Sequence, residues 1–534
     1  NLRPKPPRNN PESSSLRPPK PEAESMSRRR SRAARQQARK HQAATAHLTA
    51  PAYISHHAPI YELLDDDALV RIEQNADRIL EQVGMVFSGD EEVLSVFRAA
   101  GCKVQGEHVY FEPGFCRSVI QASAPAEFIQ HARNPARSVR IGGNNTLFCP
   151  SFGPPFVHDM DRGRRFGTIE DVRNFTRLHY QLPSVHHSGG VVCEPTDVEV
   201  PLRHLQLLHA HLTLNDKPFM GAVTAPSRAV DTVNMARIAM GEQYVDGECY
   251  VYSVINPNSP LVLDDTMLGA LKVYARARQA VVVSSFLLAG AMSPVSVAGT
   301  LSQLLAEVSA GLCLVQLLNP GCPCVFGTFS SPISLRTGAP TFGTPEGMQI
   351  QYCAAQLARR MGVPFHSVGA LTASKVPDAQ AAYESAMQLN SAFMCGANFI
   401  IHATGCLEGL LCTGYEKIIM DADRCAALQR FAAGVDVSDQ ALALDAVQEV
   451  GPSGHYLGCE HTQQNFEQAF YHAEMADNAT FEQWSEEGGS WQHERANQRW
   501  KQMLKDYEAP PMDTSVREEL EAFVARRERE ILPG

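Results

Sequence analysis

Eight short apolar segments constrain this chain more than any other feature of its sequence. They fall at 146–151, 184–191, 218–223, 249–255, 280–286, 323–328, 364–368 and 398–402. Each is followed by polar or glycine-rich residues and then by a helical pattern, as at 168–178, 201–214, 229–240, 263–278, 294–318, 345–361 and 378–395. The segments start roughly 30–40 residues apart, the spacing of βα units. Eight such units in series predict an α/β fold, a closed parallel (β/α)8 barrel rather than an open sheet. In such a barrel the loops after the strands carry the chemistry.

The residues ahead of the barrel read differently. Leu69, Ile72, Ala76, Ile79, Leu80 and Val83 repeat at helical spacing. Further helices are predicted at 91–99 and 113–122, with strand-like pieces at 103–104 and 109–111. The predicted organisation is a basic tail over 1–50, an α+β cap over 51–140, the barrel over 141–505 and a C-terminal helix over 506–534. Residues 1–41 carry 12 Lys and Arg against 3 Glu. The tail has too little apolar surface to fold alone and is expected to be disordered, although 28–47 is also compatible with a helix on an acidic partner. A chain total of −11 with +9 in that tail leaves −20 for the rest, so nucleic acid is a poor partner for the body.

Fourteen cysteines are scattered without a disulfide pattern, many inside apolar runs such as those around Cys149, Cys249, Cys313 and Cys395. That suits a reduced, cytoplasmic setting. No uninterrupted apolar run reaches the roughly 18 residues of a membrane span, so no membrane partner is expected. Dinucleotide, phosphate-loop, HExxH and CxxC signatures are absent from the sequence.

The predicted strand ends collect aromatic residues. Tyr250 and Tyr252 alternate on the fourth segment and are expected to share a face. Phe286 and Phe326 end the next two, and Phe329 and Phe342 follow in a loop. A quaternary ammonium donates no hydrogen bond, so aromatic faces are its natural host; plain barrel packing is the alternative. Arg336 lies in the same loop with no acid near it in sequence, and suits either a carboxylate ligand or a structural ion pair. His186, His187, His366 and His402 sit on or at the ends of segments, as core residues or as ligands. Cys322 and Cys324 have a spacing uncommon for a metal pair, and no metal site is expected. Gly405 and Glu408 begin a glycine-rich loop after the last segment, which ends near Glu416. No lysine falls at a strand end, which disfavours Schiff-base chemistry.

Taken together, the runs 316–327, 336–346, 379–384 and 451–458, with His461 and Thr462, resemble the trimethylamine/glycine betaine methyltransferase family. The similarity extends from about residue 58 to about residue 500. The resemblance implies a TIM barrel that docks a corrinoid protein on its top face and passes a methyl group from an amine to Co(I). It implies cobalamin held by that partner, no tightly bound cofactor of its own, and a homo-oligomer. Trimethylamine-specific members carry pyrrolysine in the barrel. This sequence has only standard residues, which points to a quaternary, glycine betaine-like amine as donor.

With the cobalt as nucleophile, no catalytic residue is expected from the chain itself. On this reading, substrate binding is expected at Arg336, Tyr250, Tyr252, Phe326, Phe342 and His366, and corrinoid docking at His186, His187, Gly405 and Glu408, all chosen from their places at strand ends and in the following loops. Two other readings keep the fold: methyl transfer directly to a folate or thiol, and a betaine-binding protein without transfer activity.

Overall fold

The computed structural model describes residues 47–532 apart from 48 and 58. The basic tail therefore lies almost wholly outside the described residues. Residues from Ala50 onward form one compact unit.

Its centre is a curled parallel sheet. The strands are β1 (Asn145–Phe148), β2 (Phe219–Met220), β3 (Val251–Ile255), β4 (Ala280–Ala289), β5 (Cys324–Pro332), β6 (Phe365–Val368) and β7 (Phe399–Ile401). They pair in the order β2-β3-β4-β5-β6-β7-β1, every pair parallel. Helices lie between successive strands and cover the outer face, so the strands are buried on both sides and read as apolar runs rather than alternating ones. Seven of the eight expected strands are present.

The eighth expected strand, at 184–191, is not formed as one. Pro183 precedes it and Gly189 takes φ +89, which breaks the extended register. The segment still hydrogen-bonds on both sides. His186 N–H donates to Phe148 O at 2.9 Å, Ser188 N–H to Pro218 O at 2.8 Å and Met220 N–H to Gly189 O at 2.8 Å. The His186 ring supplies what a regular strand would have given from its backbone, because its Nδ1 accepts from Phe148 N–H at 3.0 Å.

Ahead of the sheet lie helices Asp66–Gln82, Glu91–Ala99 and Phe115–Ser123, close to the helices expected there. A small sheet there includes Val262–Leu263, which leaves the curled sheet after β3 to pair with Met85–Phe87. A second small sheet joins Phe156–Asp159 and Gly163–Phe166, after β1, to Cys406–Leu407 and Cys412–Gly414, after β7. The hairpin Glu127–Gln130 with Val139–Gly142 continues from the β1 edge. The C-terminal helix runs Thr514–Ile531.

Helix Val297–Leu318 corrects the sequence reading in one respect. Its 22 residues are long and apolar enough to cross a membrane, although short polar interruptions hide it from a search for unbroken apolar runs. Here 89% of that window is buried, against β4, β5 and the cap helices. An all-round apolar helix is what the centre of a large body requires.

The turn that leads into segment 184–191 hangs on one buried lysine. Lys217 Nζ donates to His179 O at 2.5 Å, Leu182 O at 3.0 Å and Val185 O at 2.7 Å. Burial pushes its pKa well below the usual lysine range. Lys217→Met removes the donor to three buried carbonyls, each costing about 1–3 kcal/mol when left unpaired. The expected result is a thermal midpoint lowered by several degrees; an unchanged midpoint would show that this turn does not depend on Lys217.

Candidate active site

Within the curled sheet the inward side chains form a stack of rings. Tyr252 on β3 lies flat against Phe399 on β7, with centroids 4.0 Å apart and planes 7° from parallel. His366 on β6 continues the stack 5.2 Å from Phe399, and the Tyr252 hydroxyl is 2.9 Å from His366 Nδ1. His187 meets Phe399 edge-on at 5.2 Å. Its Nδ1 accepts from Gly189 N–H at 3.0 Å, which puts the proton on Nε2, facing Gln130 Oε1 at 3.2 Å.

Toward the C-terminal ends of the strands the lining becomes apolar and aromatic. Phe286 on β4 and Phe329 on β5 stack at 4.7 Å, and His402 stands perpendicular to Phe329 at 5.7 Å. His402 Nδ1 accepts from Phe152 N–H at 3.2 Å. Phe342 joins the same apolar cluster from the loop after β5. Gly409, at φ +66, is pressed against the Phe342 ring and Pro340, where a Cβ would stand 3.4 Å and 3.5 Å from their atoms. The loops after β5 and β7 therefore meet over this end.

These buried rings are uncharged. Burial lowers the pKa of His366 to about 3 and that of His402 to about 3, and takes His187 well below its ordinary value. The thiols are equally quiet. Burial pushes Cys406 up to about 12 and Cys149 well above the usual thiol range. Such thiols are poor nucleophiles.

The charged residues of the rim are committed to holding loops. Glu384 Oε2 accepts from Thr372 Oγ1 at 2.6 Å and Ala373 N–H at 2.8 Å, fixing the loop after β6. Gly405 N–H donates to Asp421 at 2.9 Å. Asp421 is in turn paired with Lys417 and Arg424. Glu408 takes both its oxygens to Arg164 Nε at 2.9 Å, while that guanidinium lies 3.5 Å above the Phe156 ring.

Arg336 stands apart. It is exposed at the tip of a hairpin that Ser334 N–H closes onto Ala339 O at 2.8 Å, and it makes no hydrogen bond or ion pair among the described residues.

The structure brings together Tyr252 and His366 in the stack, with Phe342 in the same apolar cluster, while Arg336 is exposed in the hairpin after β5. It separates the others. Tyr250 points outward, its hydroxyl donating to Gln243 O and its ring stacked on Tyr244. The expected alternation fails because Tyr250 and Val251 both donate their N–H to Gln279 Oε1, a local irregularity that turns Tyr250 out while Tyr252 stays in. Phe326 also faces out, into the helix layer beside Phe365, because inward positions on β5 are Val325 and Phe329.

His186 is buried against Phe148, and His187 lies inside the sheet. Gly405 is packed beneath Ile418, and Glu408 is held by Arg164. None of the four offers a free docking contact, which corrects that expectation: backbone pairing and loop anchoring have already used them. Sequence reasoning missed Phe399 and Phe152. Phe399 was recoverable from its place inside an apolar segment, but Phe152 lies in a loop.

The trimethylamine methyltransferase (MTTB) family model matches residues 28–532. The chain belongs to this family. It is 41% identical to the glycine betaine methyltransferase of Desulfitobacterium hafniense (strain Y51) over 474 residues, 89% of this chain and 98% of the relative. It is 27% identical to the proline betaine:corrinoid methyltransferase of Eubacterium limosum over 394 residues, 71% of this chain and 80% of the relative. The crystal structure of the Methanosarcina barkeri monomethylamine methyltransferase aligns with a TM-score of 0.43 and 12% identity, covering 84% of this chain and 95% of that one.

A neutral family interior carries a pH signature. A histidine whose folded pKa is depressed takes up a proton on unfolding at any pH between its folded and unfolded values. Between about pH 6.5 and the values near 3, each such group makes stability fall as pH falls, by up to about 1.4 kcal/mol per pH unit. His179 and His186, both lowered to about 3, act in the same direction as His366 and His402. Denaturant midpoints should therefore drop clearly from pH 7.5 to pH 5.5. A flat profile would mean that these rings take up protons in the folded protein as readily as in the unfolded chain.

Proposed function

We propose that this enzyme demethylates a carboxylated quaternary amine of the glycine betaine type and passes the methyl group to a corrinoid protein. The observation that carries the reading is the set of neutral rings at the strand ends, Phe286, Phe329, Phe342 and His402, with an unpaired, exposed Arg336 in the loop after β5. A fixed positive charge can rest against aromatic faces without competing cations, and its carboxylate can reach the guanidinium. The two betaine-specific relatives support the choice of donor, and the name of the Eubacterium protein supports a corrinoid acceptor. The reading includes closure of the sheet into an eight-position barrel, with 186–190 in the second position. The hydrogen bonds from that segment to Phe148, Pro218 and Met220 support it.

In this mechanism the chain binds and orients. Phe286, Phe329 and Phe342 hold the ammonium head, Arg336 holds the carboxylate, and Tyr252 with His366 forms the floor. The rings exclude water, so one N–methyl bond is presented end-on to the mouth. Protonated thiols leave the lining without a competing thiolate, which fits an acceptor delivered from outside. A bound corrinoid supplies a strongly nucleophilic cobalt. The departing tertiary amine needs no proton to leave, so no general acid is required. A cytoplasmic setting is part of the same proposal, since the acceptor chemistry needs reducing conditions.

The test is a panel of quaternary amines offered with the reduced corrinoid protein, following the corrinoid spectrum. Turnover of a betaine is expected; turnover only without a corrinoid, with folate or thiol as acceptor, would reject the proposal. Arg336→Ala should raise KM for a betaine about tenfold or more, equivalent to at least about 1.4 kcal/mol, and leave choline-type binding little changed. Equal effects on both amines would remove Arg336 from carboxylate recognition.

A further inference from the structure

Of the rings at the strand ends, only Phe152 also lines a second cavity, of about 380 Å3. That volume lies within the roughly 300–1,000 Å3 of small-molecule sites. On the sheet side the lining comes from Gly190, Gly221 and Ala222, which carry almost no side chain. A Cβ on Gly190 would stand 2.9 Å from the Phe152 ring and 3.0 Å from Met220 Cβ, so the space cannot be filled from there. On the other side helix Arg203–Leu214 presents Leu207, Leu208 and His211, whose spacing places them on one face. The walls are mostly apolar, as in small-molecule sites generally.

The charged groups at this cavity are engaged, with one exception. His211 is neutral: burial lowers its pKa to about 4, and Ser188 Oγ donates to its Nδ1 at 2.6 Å. His204 Nε2 is turned to Asp231 at 2.9 Å. Arg203 is paired with Glu194 at 3.3 Å. Arg228 is half-buried and makes no ion pair among the described residues. It is nevertheless held in place, donating to Thr224 Oγ1 at 2.7 Å and to Val200 O at 3.2 Å. An oriented guanidinium with unused N–H groups is matched to a carboxylate.

We infer that this cavity binds a monocarboxylic acid with an apolar body, its carboxylate on Arg228 and its hydrocarbon part against Leu207 and Leu208. One uncompensated positive charge selects one negative charge. Glu194 at the same cavity opposes a second, which disfavours phosphate esters and dicarboxylates. Phe152 is the one Phe, Tyr or Trp in the lining, too little ring surface for a quaternary ammonium. The ligand is therefore of a different class from the amine, and the inference does not rest on the proposed methyl transfer.

The test is calorimetric titration of the full-length protein with octanoate, octan-1-ol and octylamine as probes. Octanoate should bind at one site per chain with a Kd below about 1 mM, and at least about tenfold more tightly than the alcohol or the amine. Arg228→Gln should remove that preference for the acid. Val191→Phe, which fills the cavity from a half-buried wall, should abolish octanoate binding while the far-ultraviolet circular dichroism stays that of wild type. Saturating glycine betaine should leave octanoate affinity within about twofold. Equal binding of acid and alcohol, unchanged binding in both variants, or the absence of saturable binding would overturn the inference. Displacement of octanoate by glycine betaine would do so too, by assigning the acid to the methyl-transfer site. None of these titrations involves a corrinoid or amine turnover, so their failure leaves the proposed activity untouched.

Discussion

An ionisable side chain inside a parallel sheet must either find a countercharge or give up its charge, and the histidines inside this sheet take the second course. His187 and His366 face inward and His402 stands at the rim, each satisfied by neutral partners or by rings, and burial keeps all three unprotonated. The choice has a chemical consequence. A site intended for a permanent cation cannot hold its own positive charge close by, because in a medium of low dielectric the repulsion between like charges would exceed what aromatic faces return. Neutral histidines supply ring surface and hydrogen bonds without that repulsion.

The charges the fold does keep lie one layer farther out, where they set the shape of the rim. Lys417 bonds Ser385 and Asp421, and Asp421 bonds the Gly405 backbone. One buried network thus joins two helices to the loop after β7. Glu384 performs the same task for the loop after β6, and Gly343 is required beside it, since a Cβ there would come within 2.8 Å of Glu384 Cα. The run 379–384, conspicuous in the sequence, therefore acts through loop position rather than by touching a ligand. Loops held by buried ionic groups are costly to displace, because separating one partner strands the other charge in the interior.

Periodicity made most of the architecture legible. The cap helices, the seven strands and the C-terminal helix all announce themselves through apolar spacing, because burial enforces that spacing. Segment 184–191 has the right composition for a strand, but Pro183 and Gly189 give it a different backbone, and composition does not record hydrogen-bond register. The site was legible only in part for a related reason. Aromatic residues were easy to collect, but their direction depends on parity along each strand. A single irregularity at Tyr250 and Val251 reverses one assignment, and a shift of one position at Phe326 and Phe329 reverses another. His186 and His187 are adjacent, yet one faces the helices and the other the interior.

Division of labour between interior and rim also determines where substrate choice can reside. Aromatic faces respond to positive charge and to shape, so on the proposed function they would not tell one trimethylammonium head from another, whether or not a carboxylate is attached. Reading the carboxylate requires a donor that is not already engaged. Glu384, Glu408, Asp421 and their partners are all engaged, and their loops are fixed by them. The hairpin bearing Arg336 is closed by its own backbone hydrogen bonds, and its guanidinium is unpaired. It can therefore be altered without disturbing the networks that shape the mouth. Changes of amine preference within this architecture should arise in that hairpin, while the ring stack below it stays as it is.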